Sequence, residues 1–257
     1  MKKFKLIPFV CGAGASTLGT EYAAIDLKEN GLEQHLSALG IQASWSVDPS
    51  EQFNLEIGKR AHKDLGPLGS DDRKQIVIEH CKILEQQVYD AIQQGYTPVA
   101  VGGDHSIAAG SISGFARGKK AHGRIGVLWI DAHPDVHTYE TSSSKACHGT
   151  PVSALIGLER GELSQLAGGK PALSANHLYY IGIRDIDEAE YQHIKEHNIN
   201  SFSMDDLNKI GLEKALYQAT EYLYQNTDHL FLTFDIDALE PEDVPATGTP
   251  VENGIGK

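Results

Sequence analysis

The feature that most restricts the fold is the run RIGVLWI at residues 124–130, which is apolar on both faces of an extended strand. Strands of this kind lie inside parallel sheets that helices cover on both faces. Further strands are predicted at residues 3–11, 41–47, 97–101, 177–183, 199–203 and 229–234. Helical periodicity predicts helices at residues 21–38, 71–94, 107–115, 151–158, 187–196 and 205–225. This alternation predicts a single α/β domain over residues 1–257, with three layers and a mainly parallel sheet in the middle.

Charge, hydropathy and cysteine content argue against several classes of protein. The chain has 257 residues, with 22 Lys and Arg against 35 Asp and Glu, and a net charge of −13. This balance argues against nucleic-acid binding. No apolar run approaches the ~20 residues that a membrane span requires, and the N-terminal apolar stretch is too short for a secretory signal. Because Cys11, Cys81 and Cys147 are few and widely spaced, they predict a protein of the reducing cytoplasm rather than a disulfide framework.

Acidic and histidine side chains follow directly after three predicted strands. The clusters are GGDHS at 102–106, DAHPD at 131–135 and DID at 235–237. Parallel α/β sheets bind ligands outside the carboxyl ends of their strands. Because side chains alternate along an extended chain, Asp131, His133 and Asp135 are expected on one side of it. The same alternation places Asp235 and Asp237 together. One Asp in such a position is usually a turn or cap residue, but three clusters together predict one site.

The charge of these clusters predicts a metal centre. Four carboxylates in one cleft would repel each other and lose hydration, so some would take up protons if no cation were bound. Two divalent cations balance the four charges, and the neutral imidazoles of His105 and His133 complete the ligand set. Oxygen and imidazole ligands without thiolate favour Mn²⁺, with Zn²⁺ and Co²⁺ as alternatives. Asp104 is assigned to the turn, or to the orientation of His105, outside the ligand set.

The three clusters, in this order, resemble the signature blocks of the ureohydrolase (arginase/agmatinase) family. The last block extends the match as FDIDALEP at 234–241 and PATGTP at 245–250. Within the family the chain is most similar to arginases, through TSSS at 141–144, HG at 148–149 and YIGIRDID at 180–187. The resemblance covers nearly the whole chain and implies the arginase-like fold. It also implies hydrolysis of L-arginine to L-ornithine and urea with two Mn²⁺ per chain.

The resemblance implies a role for each candidate site residue. The two metal sites would be formed by His105, Asp131, Asp135 and Asp235, and by Asp131, His133, Asp235 and Asp237, with Asp131 and Asp235 bridging. His148 matches the proton-transferring histidine of the family, and an unperturbed histidine titrates near ~6.5, as that role requires. Asp135 is assigned to catalysis as well as to the metal.

Substrate contacts are the part of the resemblance where this chain departs from arginases. Ser144 and Asp187 match residues that contact the amino-acid end of the substrate. His137 stands where arginases carry an asparagine for the substrate carboxylate, and Ala146 replaces a second asparagine. A guanidino compound is the expected small-molecule partner. Besides arginine, the altered clamp leaves agmatine, guanidinobutyrate and formiminoglutamate as alternative substrates.

The end of the sequence is the other departure. The family continues beyond the PATGTP motif with a further strand and helices, so the C-terminal part of the family fold is expected to be missing here. The acidic residue that contacts the guanidinium in arginases belongs to that part. A truncated, non-catalytic metal-binding relative that acts by association with other subunits is therefore a second alternative. The resemblance also implies a homo-oligomer, a trimer or a hexamer.

Overall fold

The computed structural model describes residues 2–60, 65–119 and 123–256. Its strands are β1 (Lys3–Pro8), β2 (Gln42–Trp45), β3 (Thr97–Val101), β4 (Ile125–Ile130), β5 (Leu178–Ile183), β6 (Asn200–Ser203) and β7 (His229–Phe234). Its α-helices are α1 (Ala23–Glu29), α2 (Leu32–Ala38), α3 (Pro49–Asn54), α4 (Glu56–Arg60), α5 (Asp71–Gln93), α6 (Ile107–Lys119), α7 (Pro151–Leu155), α8 (Glu188–Glu196), α9 (Met204–Ile210) and α10 (Leu212–Asn226). The predicted α/β alternation is confirmed.

The paired strands run parallel and form two sheets, in the orders β2-β1-β3 and β6-β5-β4-β7. In β4, which lies between β5 and β7, Val127 and Trp129 are fully buried and Leu128 on the other face is 6% exposed. Burial on both faces is what the apolar run at 124–130 predicts. The mainly parallel architecture is therefore confirmed, with the strands divided between two sheets.

Two glycines divide helices that the sequence predicts as continuous. Gly31 separates α1 from α2 with φ 79°, and Gly211 separates α9 from α10 with φ 85°. Residues with a Cβ rarely adopt this left-handed region, whereas glycine does so at little cost. The helical periodicity of residues 21–38 and 205–225 continues across each break, which explains why one helix was predicted in each case.

Helices cover both faces of the four-stranded sheet and complete the three layers. On one face, Phe115 of α6 packs against Phe231 of β7, with ring centroids 5.3 Å apart. Behind it α5 packs closely against α6, so a Cβ on Gly114 would come within 2.5 Å of the Glu85 carbonyl oxygen. On the other face, Leu207 of α9 and Leu223 of α10 pack against Leu128 in a second buried cluster. Each fully buried leucine contributes about 1.5–3 kcal/mol. Among the described residues, no helix is both long enough and apolar enough to cross a membrane.

Candidate metal centre

The loops after β3, β4 and β7 meet at the carboxyl edge of the sheets. The chain leaves β3 through Gly102 and Gly103, whose φ angles are 91° and 74°. A Cβ on Gly103 would lie 2.3 Å from Phe9 Cδ1, so this tight turn requires glycine. The turn carries His105 towards β7, where its Nε2 lies 3.0 Å from Thr233 Oγ1. A histidine that follows one sheet is therefore held against a strand of the other.

The first cluster forms around one nitrogen of His105. Its Nδ1 lies 2.9 Å from Asp131 Oδ2, 3.1 Å from Asp135 Oδ2 and 3.0 Å from Asp235 Oδ2. Although three acceptors surround this buried atom, none completes a well-directed hydrogen bond with it. Metal–ligand bonds of about 2.1 Å separate adjacent ligands of an octahedron by about 3.0 Å. The spacing of these four atoms fits ligands that share a cation.

The second cluster contains Asp131, His133 and Asp237. His133 Nδ1 lies 3.1 Å from Asp237 Oδ2 and 3.6 Å from Asp131 Oδ1. The Asp237 carboxylate also accepts hydrogen bonds from Ala132 N at 3.2 Å and Thr249 Oγ1 at 2.9 Å. Asp131 therefore belongs to both clusters. Asp235 joins the first, and its Oδ1 accepts a hydrogen bond from Asp237 N at 3.0 Å.

Buried contacts hold the shared carboxylate of Asp131 in place. Its Oδ2 accepts a hydrogen bond from Trp129 Nε1 at 2.8 Å, and its Oδ1 accepts one from His133 N at 2.8 Å.

The sequence predicts an extended chain through residues 131–135, but Asp135 adopts a left-handed conformation with φ 49°. Aspartate tolerates this conformation better than most residues. Asp135 lies beside His105 in the first cluster, whereas His133 lies beside Asp237 in the second.

The pKa shifts in both clusters reflect the competition between burial and opposite charge. Burial alone would lower the pKa of His133, but Asp131 and Asp237 outweigh it and raise that pKa to about 11. The pKa of His105 is also raised, because the three surrounding carboxylates outweigh its burial. Burial raises the pKa of Asp237 to about 6, and burial with the charge of Asp131 raises the pKa of Asp135. Divalent cations would displace the protons that these groups hold.

Asp104 acts in the turn before His105. Its Oδ1 accepts a hydrogen bond from Ser106 N, and its Oδ2 accepts one from Gly14 N, both at 3.0 Å. A Cβ at Gly14 would come within 2.4 Å of the Asp104 carboxylate, so glycine permits this close approach. Of the two roles that the sequence predicts for Asp104, these contacts correspond to the turn.

A cavity of about 100 Å³ opens against the first cluster. His105 and Asp235 line it, together with His148 and Thr249 from two other loops. His148 is half-buried, and its backbone N–H donates to Gly14 O at 3.2 Å. The structure therefore brings the candidate proton-transfer residue to the same cavity as two candidate ligands.

The candidate substrate-contact residues divide between two places. His137 Nε2 lies 3.1 Å from Asp187 Oδ2 and 3.7 Å from Glu190 Oε2. Ser144 is exposed, and its hydroxyl accepts a hydrogen bond from Ala146 N at 3.2 Å within its own loop. The structure therefore places His137 beside Asp187, with Glu190 as an additional member of the group.

Sequence reasoning missed several residues that support the centre, although local signals for them exist. Glu190 forms the capping box of α8 with Asp187, which the sequence does predict as a site residue, and the D-x-x-E spacing is visible in the sequence. Trp129 and Thr233 each lie two positions before a candidate ligand, so the strand period of two directs them to the same side. The same alternation, applied to the last residues of each strand, identifies both Trp129 and Thr233.

Comparisons with known proteins give a consistent result. A family model described as Arginase family matches residues 25–256. An arginase of Bacillus caldovelox is 33% identical over 257 residues, which cover 99% of this chain and 82% of that protein. The mitochondrial arginase-2 of Bos taurus is 35% identical over 258 residues, covering 94% of this chain and 67% of that protein.

Solved structures show the same similarity in three dimensions. The native structure of Bacillus caldovelox arginase at pH 5.6 matches with a TM-score of 0.88 at 32% identity, covering 100% of this chain and 83% of that one. The Entamoeba histolytica arginase in complex with L-ornithine matches with a TM-score of 0.85 at 27% identity, covering 100% of this chain and 84% of that one. The resemblance of the strand-end motifs is confirmed, and the chain belongs to the arginase family.

Proposed function

We propose that this protein is a binuclear manganese hydrolase that converts L-arginine into L-ornithine and urea. As a member of the arginase family it is a ureohydrolase, an enzyme that hydrolyses guanidino or amidine carbon–nitrogen bonds. The observation that carries the proposal is the ring of three carboxylate oxygens around His105 Nδ1, next to a second cluster that shares Asp131. The Entamoeba histolytica structure that contains L-ornithine supports the choice of product.

The ligand chemistry supports two manganese ions. One ion would be held by His105, Asp131, Asp135 and Asp235, and the other by Asp131, His133, Asp235 and Asp237. Carboxylate and imidazole ligands without thiolate suit Mn²⁺. When bound, such a pair of cations supplies a hydroxide nucleophile near neutral pH.

The residues of the cavity would bind the substrate and transfer a proton to the departing amine. A guanidinium carbon is stabilised by resonance, so its hydrolysis requires both a strong nucleophile and protonation of the departing amine. His148 shares the cavity with His105 and Asp235, which supports its role as donor of that proton. Asp135 is buried against His105, where its carboxylate would help to orient the nucleophile. The net charge of −13 favours the approach of a cationic substrate.

The group formed by His137, Asp187 and Glu190 would receive the far end of the substrate. The carboxylate of Asp187 suits an ammonium group. Glu190 is 8% exposed, and its burial and the nearby charge of Asp135 raise its pKa to about 8. From the family resemblance we also propose that Ser144, in its exposed loop, contacts the same end of the substrate.

A second candidate substrate is a guanidino compound without an α-carboxylate, such as agmatine. One observation favours it: the Lys145 ammonium donates to the backbone carbonyls of Tyr139 and Glu140. This lysine is the cation nearest in sequence to Ala146, and its ammonium is already engaged. A substrate carboxylate at this position would therefore depend on His137.

The test is urea release after loading with Mn²⁺, with arginine, agmatine and guanidinobutyrate assayed side by side. Bound metal is counted in the same samples by elemental analysis. We expect two ions per chain and the fastest urea release from arginine. Faster release from agmatine would select the second candidate substrate, and two ions without urea from any of the three would contradict hydrolysis of guanidino compounds. His148→Ala is the matched control for the metal count, because it changes no proposed ligand.

Location and assembly complete the proposal. Cys11, Cys81 and Cys147 are all unpaired and buried, which supports work in a reducing compartment such as the cytoplasm. From the family resemblance we also propose a homo-oligomer, a trimer or a hexamer. Sedimentation equilibrium of the metal-loaded protein would measure its size.

A further inference from the structure

Arg184 directly follows β5, and its guanidinium lies where several backbone carbonyls converge. Nη2 donates to Asp237 O at 2.7 Å and to Val251 O at 2.8 Å, and Nε donates to Glu252 O at 3.0 Å. Longer contacts of Nη1 and Nη2, at 3.3 to 3.4 Å, reach the carbonyls of Gly182, Ala238 and Leu239. All three nitrogens of this side chain are therefore engaged with backbone oxygen atoms.

This set of converging backbone carbonyls requires arginine rather than another cation. Arginine offers five N–H donors in a fixed plane, whereas lysine offers three around a single atom. The carbonyls of Asp237 and Ala238 belong to the 3₁₀ turn Ile236–Ala238, which Asp235 caps. Without a cation, the negative ends of these dipoles would face each other. The guanidinium therefore holds the end of the turn that carries Asp237, because its contacts there reach the carbonyls of Asp237, Ala238 and Leu239.

The backbone of Arg184 is tied to the other ligand loop. Arg184 N and Asp185 N both donate to Ala132 O, at 2.8 and 3.1 Å. Ala132 lies between Asp131 and His133, and its own N–H donates to Asp237 Oδ1 at 3.2 Å. Arg184 thus joins the two loops that meet at the second cluster.

We propose that Arg184 is a positioning residue for the second cluster, which holds Asp237 opposite His133 and so sets the affinity for one of the two ions. This inference rests on the proposed two-metal centre. The first cluster has a support of its own, because Thr233 contacts His105. Loss of the guanidinium therefore weakens the binding of the ion in the second cluster and leaves the binding of the other ion unchanged.

The test compares wild type, Arg184→Ala and Arg184→Lys by calorimetric Mn²⁺ titration and by electron paramagnetic resonance. Arg124→Ala is the matched control, because Arg124 is 62% exposed and precedes β4, at the end opposite the metal centre. We expect Arg184→Ala to bind one ion like wild type and the other about 10–100-fold more weakly. At the wild-type saturating concentration, the spin-coupled signal of paired Mn²⁺ should give way to that of a single bound ion. The affinity of Arg184→Lys for the more weakly held ion should lie between those of wild type and Arg184→Ala.

Several outcomes would overturn the proposal. Unchanged affinities for both ions would show that the carbonyl contacts do not position Asp237. An equal loss at both ions would show a general structural role. If circular dichroism shows that Arg184→Ala is unfolded, the same comparison is made with Arg184→Lys, and a non-selective result there refutes the inference. A wild-type protein that does not bind two ions would refute the proposed function itself, which separates the two failures.

Discussion

Replacement of Asp237 by Asn separates the electrostatic cost of the metal centre from its function. The Asp237 side chain is 2% exposed, 3.1 Å from His133 Nδ1, and it accepts hydrogen bonds from Ala132 N and Thr249 Oγ1. Asparagine has the same shape without the charge. Its amide oxygen can accept from Ala132 N, and its amide nitrogen can donate to the Thr249 hydroxyl. The substitution therefore removes a charge and leaves these hydrogen bonds satisfied.

The magnitude follows from the pKa of Asp237, which burial raises from 3.8 to about 6. A shift of about two pKa units corresponds to about 3 kcal/mol. Because the folded state holds this proton more tightly than the unfolded state, stability is lost as the pH rises through about 6. At pH 8 the metal-free Asp237→Asn variant should therefore be about 1–3 kcal/mol more stable than wild type, and at pH 4 the difference should fall below about 1 kcal/mol.

Metal binding should reverse the order of stability. At a free Mn²⁺ concentration of 1,000 times Kd, each ion stabilises the folded protein by about 4.1 kcal/mol, which exceeds the advantage of the metal-free variant. Wild type should gain this increment from both ions, and the variant from one at most. Urea unfolding, followed by the fluorescence of Trp45 and Trp129, measures all four conditions with EDTA or Mn²⁺ at each pH. Asp205→Asn, an exposed position in the first turn of α9, is the control.

The reasoning fails if the metal-free variant is less stable than wild type at pH 8. That result would mean that the attraction between Asp237 and His133 exceeds the cost of burying the carboxylate. An unchanged metal increment would show instead that Asp237 is not a ligand.

Three further changes test individual parts of the centre. Asp131→Ala removes the carboxylate common to both clusters, so elemental analysis should find neither ion, and two ions per chain would contradict a bridging role. His148→Ala should retain two ions while urea release falls by about 10²–10⁴-fold; unchanged turnover would exclude His148 from proton transfer. Thr233→Val deletes the hydroxyl beside His105 and should weaken Mn²⁺ binding by about 10–100-fold in a calorimetric titration. Equal affinity would show that His105 is oriented without Thr233.

Local patterns made much of the fold predictable. β4 is recognisable because its residues are apolar on both faces over a length that is typical of strands buried on both sides. The strand-end clusters are recognisable because side-chain alternation acts over a few neighbouring residues. The breaks at Gly31 and Gly211 were missed because helical periodicity continues across both glycines, and the pattern does not report the backbone conformation.

By itself, the sequence determined which segments form strands and that acidic side chains follow three of them, with a histidine after two, and it predicted a metal centre from their charge. These properties depend on residues close together in the chain. The tertiary structure alone decided which oxygen meets which nitrogen: His105 reaches Thr233 across 128 positions, and Arg184 reaches Val251 across 67. Such contacts depend on how separate strands and loops are brought together, which no local pattern encodes. For the same reason, the turn at Asp135 and the set of backbone carbonyls around Arg184 could be identified only in the assembled structure.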